Sequence, residues 1–204
     1  MFKQMIKKSI HKSQHCQRNW DLSKSIPKED VDLIIDSAVN CPTKQNLNFY
    51  KVHAITDRDK IQKIHDKTQG FEVFGEDRQI VDVKTNSQTL ANLLLVFTKD
   101  SPSYARENQE MNNEKAKTYE EDRHIAVGIA AGYVNLTSTM LGYSTGCCKC
   151  FDSKEVKNIL NSDSPILLMG IGYADNEKIR TEHQEDENFR FPTFKNQRTF
   201  EIHA

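Results

Sequence analysis

The sequence predicts a chain of mixed helix and strand, and three stretches carry that prediction. Residues 123–152 (RHIAVGIAAGYVNLTSTMLGYSTGCCKCFD) open as a helix with almost no charge after His124. Ile125, Ala126, Val127, Ile129, Ala130, Ala131, Val134, Leu136, Met140 and Leu141 place apolar or small groups on nearly every face. A helix apolar all round is buried in a core or an interface. Residues 166–173 (ILLMGIGY) read as a core strand, and residues 49–56 (FYKVHAIT) alternate as a strand. Within the helix, Gly128 and Gly132 each cost about 1 kcal/mol of helix propensity relative to Ala, which points to a neighbour that must come close. Gly142 ends the helix, and a small-residue, cysteine-rich turn leads on to Phe151.

Composition narrows the function classes. A chain of 204 residues is large enough for a real core, and a single domain over 1–204 is expected. Lys and Arg number 28 against 29 Asp and Glu, a net charge of -1, so nothing global points to nucleic acid or a membrane as partner. With charged residues at 28% and a mean hydropathy of -0.69, the surface is polar and the apolar residues are concentrated in a few segments. No run approaches membrane-spanning length and the N-terminus lacks a signal-type apolar core, so a soluble, cytoplasmic protein is expected. Five cysteines, with Cys147, Cys148 and Cys150 too close together for an ordinary disulfide framework, read as reduced thiols.

Along the chain, Phe2, Met5, Ile6 and Ile10 recur at helical spacing over residues 2–13, forming an amphipathic helix. It ends in Gln14-His15-Cys16-Gln17-Arg18, followed by the only tryptophan, Trp20, a core residue by preference. Pro27 opens a second helix, with Glu29 and Asp30 favourable in its first turn and Val31, Ile34, Ile35 and Ala38 as its buried stripe. Asp57 caps a short helix with Ile61 and Ile64 inward. Residues 68–89 carry little pattern, and residues 90–98 (LANLLLVFT) form a buried strand or a helical turn. The polar stretch 99–122, anchored by Tyr104, Met111 and Tyr119, is a lid or an exposed helix. Ser153 caps a helix with Val156, Ile159 and Leu160 inward, and Pro165 marks its end. Glu182 to Glu187 reads as a solvated acidic loop. The tail, with Phe189, Phe191, Phe194, Lys195, Arg198 and Phe200, reads as an arm that docks on something.

Several chemistries find no support. Gly170 and Gly172 form a bare GxG without a third glycine or a following helix, so there is no dinucleotide fingerprint. There is no Walker A sequence and no HExxH, and Cys147-Cys148-Lys149-Cys150 has the wrong spacing for a standard zinc site. His15, His53, His65, His124 and His183 form no readable pair, and no Ser/His/Asp motif stands out. What remains is three polar clusters, 14–18, 41–48 and 195–198, plus the turn at 145–150. Cationic side chains suit a phosphate, side-chain amides suit a pyrimidine edge, and a turn can offer main-chain N–H groups. Together these are the parts of an FMN site, where the cofactor brings its own redox chemistry and no catalytic protein residue is required.

At this point the sequence resembles the FMN-dependent nitroreductases. Their basic R-R-S-x-R type pattern after the first helix resembles Gln14-His15-Cys16-Gln17-Arg18. Their A-P-S-x-x-N-x-Q-P-W loop is similar to residues 40–50 (NCPTKQNLNFY), and the helix ending in G-L-G-T-x-x-x-x-x-F is similar to residues 142–151 (GYSTGCCKCF). The strand after Pro165 and the placement of Lys195 and Arg198 complete four motifs in the family's order.

The resemblance implies an α+β fold, a central antiparallel sheet flanked by helices, in an intertwined homodimer with two FMN sites at the interface. The C-terminal arm would cross to the partner's sheet. It implies that Gln14, His15, Cys16, Arg18, Lys195 and Arg198 surround the ribityl phosphate, and that Pro42, Thr43 and Asn46 face the ring from the other subunit. The main-chain N–H groups of Cys148, Lys149 and Cys150 would meet flavin N5. NADH or NADPH would be the reductant, and a small molecule such as a nitroaromatic or quinone the acceptor. Three departures stand out: Gln14 replaces a frequent arginine, Phe49-Tyr50 replaces Pro-Trp, and Lys149-Cys150 stands where a common subgroup has Glu-Gly. Two other readings remain at this stage: a flavin-fragmenting or dehalogenating relative, and a non-enzymatic flavin or thiol interaction module.

Overall fold

A computed structural model describes residues 2–77, 79–100, 113–193 and 198–202, and the side chains of all of these except 113–116. Its centre is a sheet of four strands, β1 (Tyr50–Ile55), β4 (Leu93–Lys99), β5 (Ser144–Cys148) and β6 (Pro165–Gly172), in the order β1-β4-β6-β5 with every neighbour antiparallel. Between β1 and β4 in sequence, a separate hairpin pairs β2 (Phe71–Phe74) with β3 (Ile80–Lys84). The helices are α1 (Phe2–Ser13), α2 (Lys28–Val39), α3 (Arg58–His65), α4 (Asn113–Met140) and α5 (Ser153–Leu160). The architecture is α+β, an antiparallel sheet flanked by helices.

Period-two alternation explains the layers. Leu93, Leu95 and Phe97 of β4, with Met169 and Ile171 of β6, pack against Ile34 and Ala38 of α2 and Ala126, Ala130 and Val134 of α4. Leu94, Val96 and Leu168 face the other way, against Ile61 and Ile64 of α3 and Val156 of α5. Because β4 is buried on both faces, its apolar run is continuous rather than alternating. Trp20 joins Leu90 and Ala91 in a third cluster, and its indole N–H donates to Ser87 O at 3.1 Å.

Several expectations are corrected. The turn at 143–150 is strand β5 over residues 144–148, so the cysteines lie on and just beyond a sheet edge. The long helix is described from Asn113, three turns before Arg123, so of the two readings of the polar stretch the helix holds for 113–122, while residues 101–112, with Tyr104 and Met111, lie outside the described residues. The weakly patterned 68–89 contains the hairpin and a 3-10 turn, Ser87–Thr89. Asp152, not Ser153, caps α5, accepting from Lys154 N (2.9 Å) and Glu155 N (3.0 Å). Pro165 begins β6, and α5 ends instead at Asn161, which takes the left-handed conformation. The acidic stretch 182–187 is no solvated loop: His183 is buried, Gln184 pairs with Trp20, and Asp186 meets Lys84 at 2.6 Å.

The apolar helix is only half covered by its own chain. Ile125, Tyr133 and Met140 are exposed, and a Cβ added at Gly128 or Gly132 would meet nothing within 4 Å. Helix α1 lies beside α4, with Thr139 Oγ1 donating to Ser9 O at 3.3 Å, yet its own Phe2, Met5 and Ile10 are exposed too. No helix among the described residues is long and apolar enough to cross a membrane.

Candidate functional site

Residues 14–18 leave α1 and run along the outer edge of β5. Gln17 N–H donates to Thr145 O at 2.8 Å, and Cys16 bridges Thr145 in the parallel sense. Gly146 makes this approach possible. A Cβ there would sit 2.6 Å from Gln17 O, 2.7 Å from Gln88 Cβ and 3.2 Å from Cys16 Sγ. Close backbone approach is a recurrent use of glycine.

The approach builds a cavity of about 520 Å³ lined by His11, Gln14, His15 and Cys16 on one side and by Thr145, Gly146 and Cys147 on another. Gly132 and Asn135 of α4 form its back wall, and Arg198 reaches it from the tail. The size falls in the usual range for small-molecule pockets, about 300–1,000 Å³. Among the described residues, no carboxylate lines it. Asn135 is the hub of the wall: its Oδ1 accepts from Thr145 Oγ1 at 2.6 Å, and its side chain also hydrogen-bonds Cys147.

Cations crowd this corner. The His15 imidazole is held below its ordinary range by burial first, then by Arg180 and His11. The thiols move the other way. Burial raises Cys16, even though Arg18, the Cys147 backbone and Arg180 oppose it. Cys147 is accessible through the cavity, but the protein packed round its sulfur pushes it up to about 11, helped by Cys16. Cys148, buried on the opposite face of β5, is pushed up to about 12. At neutral pH these three are thiols, poor nucleophiles and poor metal ligands. Among the described residues no group of three or more His, Cys, Asp or Glu is placed to share a metal ion.

The remaining sequence candidates are distributed as follows. Arg18 does not line the cavity; its guanidinium lies 4.6 Å from the centroid of the Phe191 ring, Nη1 donates to Cys16 O at 3.3 Å, and Nε is buried with no hydrogen-bond partner among the described residues. Lys149 and Cys150 are exposed just past β5, where Cys150 O accepts from Gln69 N at 2.9 Å and Asn86 Nδ2 at 3.3 Å. Pro42, Thr43 and Asn46 sit elsewhere. Thr43 and Asn46 border a separate hollow of about 130 Å³ with Leu47 and Tyr50, and this one chain does not bring them to the cavity. Gln45 and Asn46 both have left-handed φ values, 53° and 56°. Such backbone conformations are costly for residues other than glycine and cluster at functional sites. Lys195 lies outside the described residues.

Sequence reasoning missed His11, Asn135 and Arg180. Asn135 left a signal, as the polar residue three after Gly132 in an apolar helix, but Arg180 left none.

The family model for nitroreductases matches residues 12–173. No curated protein matches the sequence significantly. Among solved structures, the chain is similar to nitroreductase A from Vibrio parahaemolyticus RIMD 2210633, with 16% identity and a TM-score of 0.67 over 93% of this chain and 78% of that one. A nitroreductase family protein from Clostridium novyi NT has 18% identity and a TM-score of 0.62, covering 90% and 92%. A protein from Exiguobacterium sibiricum 255-15, solved in complex with FMN, has 14% identity and a TM-score of 0.60, covering 92% of each chain. At these identities the structures establish the shared fold, while the family model spans most of the chain. The chain therefore belongs to the nitroreductase family and is an oxidoreductase enzyme.

Proposed function

We propose that this enzyme is an FMN-dependent oxidoreductase whose cofactor occupies the cavity at the β5 edge. The observation that carries the reading is the cavity wall itself: His15 and Arg198 face a hollow that, among the described residues, has no carboxylate in its lining. The buried Arg18 Nε, which has no partner among the described residues, adds a donor beside the same segment. A phosphate fits such a corner because the Arg198 guanidinium offers charge-assisted bonds, the strong ones, with the His15 imidazole beside it as a further hydrogen-bonding group. When bound, FMN would take a hydride from NADH or NADPH and pass reducing equivalents to a nitroaromatic, quinone or related acceptor in a ping-pong cycle.

The chain's own residues then have distinct tasks. Gln14, His15, Cys16, Arg18 and Arg198, with Lys195, hold the ribityl phosphate. The peptide N–H groups of Cys148 to Cys150 would face N5, and the double anchoring of Cys150 O fixes the chain just beyond them. Pro42, Thr43 and Asn46 face the ring from a second copy, which accounts for their distance from the cavity of their own chain.

That second copy also suits the uncovered strip of Ile125, Tyr133 and Met140 beside Gly128 and Gly132. Among the described residues strand β1 pairs only with β4, leaving an open edge, and the tail exposes Phe200 and Ile202 two residues apart, the spacing of a strand face. We place the protein as one domain, an intertwined homodimer in the cytoplasm, where its free thiols stay reduced.

Titration of the purified full-length protein with FMN, followed by visible absorbance, tests the reading. A yellow dimer that oxidises NADH or NADPH with a nitroaromatic or a quinone supports it; protein that stays colourless overturns it. Bound FMN without such turnover favours the flavin-fragmenting, dehalogenating or non-enzymatic alternatives. Sedimentation as a monomer at micromolar concentration overturns the dimer.

A further inference from the structure

Asn135 is a polar residue that α4 turns toward the cavity. From Ile125 to Val134 the helix carries no charged or amide side chain, and asparagine is a poor helix former, so an amide at the next position is unexpected. Half of that amide is occupied within the chain. Oδ1 accepts from Thr145 Oγ1 at 2.6 Å. Thr145 is itself buried, and its carbonyl accepts from Gln17 N–H at 2.8 Å, so one residue ties α4, β5 and the segment 16–17 together. With Oδ1 turned to the hydroxyl, the two Nδ2 hydrogens are the part of the amide left over. Among the described residues Nδ2 donates to no oxygen or nitrogen acceptor, and the Cys147 sulfur beside it is a weak one. Gly132, about one helical turn earlier, lines the same cavity, and a Cβ there would meet nothing within 4 Å, so the approach to the amide is open.

An amide that presents hydrogens to a hollow suits a ligand rich in acceptors. His15 and Arg198 line the same space, and among the described residues no carboxylate does. We infer that Asn135 Nδ2 donates to the phosphate of the cofactor, a neutral donor beside His15 and Arg198, and that Thr145 holds the amide in the orientation this requires. A donor carried on a helix fixes direction more precisely than one carried on a loop. The inference rests on the FMN reading and deepens it, because it adds a helix residue to a phosphate site otherwise drawn from residues 14–18 and the tail. A merely structural strut between α4 and β5 needs only the acceptor Oδ1, and that difference separates the two roles.

The test compares FMN with riboflavin, which lacks the phosphate, on the full-length protein by quenching of flavin fluorescence. Asn135→Asp keeps the shape and the acceptor for Thr145 but puts a carboxylate where the donor was. N135D is expected to raise the FMN Kd about a hundredfold, from a lost donor and a repelled phosphate, and to leave the riboflavin Kd unchanged. The double variant N135A/T145V removes both partners of the internal bond, a change that can be nearly neutral for the fold, and it too lacks the donor. It should raise the FMN Kd about tenfold, again without moving riboflavin. A folded variant that binds FMN as wild type does, or that weakens both flavins equally, overturns the proposal while leaving the FMN reading intact. Wild-type protein that binds neither flavin overturns both. Unchanged Trp20 emission identifies a folded variant, and if N135D does not fold, the double variant decides.

Discussion

The two edges of the central sheet have opposite characters. At the β5 edge, residues 16–17 close the strand, Gln88 presses on Gly146 and Gly170, and a cationic cavity opens where the pieces meet. At the β1 edge nothing is added among the described residues; Lys51 and Ala54 are exposed and no further described strand pairs with it. The closed edge is crowded because it must hold backbone segments at contact distance around a ligand space. The open edge is permissive because it ends at solvent or at another chain. One sheet therefore carries an intolerant side and a tolerant one.

Breaking the closed edge should have the largest effect. A Cβ at Gly170 would lie 2.0 Å from Gln88 O and 2.9 Å from Ala91 Cβ, and neither is the end of a flexible side chain. Gly170→Ala is expected to cost about 3 kcal/mol, the upper end for overpacking, read as a fall in the denaturation midpoint. Gly146→Ala should cost less, about 1–2 kcal/mol, since Cys16 and Gln17 can shift outward, though the cavity would deform with them.

Acid should loosen the same edge from behind. The 3-10 turn carrying Gln88 is backed by His65 and His183, both buried. Thr89 Oγ1 donates to Asn86 O at 3.0 Å, so it accepts from the protonated Nδ1 of His65, 3.0 Å away. His183 Nδ1 accepts from Glu185 N at 3.0 Å, which leaves Nε2–H for Thr85 O at 3.1 Å. His183 is therefore held neutral, His65 Nε2 lies 3.6 Å from Glu185 Oε2, and burial depresses both imidazoles against the opposing pull of Glu185. A depressed histidine makes the folded protein bind fewer protons than the unfolded chain. The stability it contributes is complete above the unfolded value near 6.5 and is lost as pH falls toward the folded value. Thermal melts from pH 8 to 5 should show that loss, and His183→Gln should flatten it.

Two milder changes sharpen the contrast from outside the closed edge. Gln45→Gly removes a left-handed glutamine in the 41–48 loop and should stabilise the fold by about 1 kcal/mol. Lys51→Ala on the open edge should change stability by less than about 0.5 kcal/mol, because the side chain is exposed. A large loss from Lys51→Ala would mean that the β1 edge is not permissive after all.

The difference between the edges also explains what the sequence made legible. Strands β1, β4 and β6 stand out because burial imposes apolar runs or alternation on them. β5 reads as Ser-Thr-Gly-Cys-Cys and passes for a turn, since packing against residues 16–17 and Gln88 selects small side chains rather than large apolar ones. The hairpin 71–84 hides for another reason: Phe74, Ile80, Val81 and Val83 are exposed, so no burial pattern marks it. Of the site, His15, Cys16 and Arg198 were found through local motifs and do line one cavity. His11 and Asn135 join the corner from the faces of two helices, a proximity that only the fold creates.

Gln184 treats Trp20 as a strand would. Its Oε1 accepts the Trp20 backbone N–H at 2.5 Å and its Nε2 donates to Trp20 O at 3.3 Å, while Asp21 N–H reaches Tyr173 O at 2.9 Å. The two ends of the chain are thus stitched together across 164 residues, directly behind the cluster that enters the cavity. During synthesis the first turn of that cluster emerges early and must wait. A nascent chain halted before Gln184 has Trp20 unclasped and no Arg198, so the pocket is completed only after both have emerged, and filling it must follow that step.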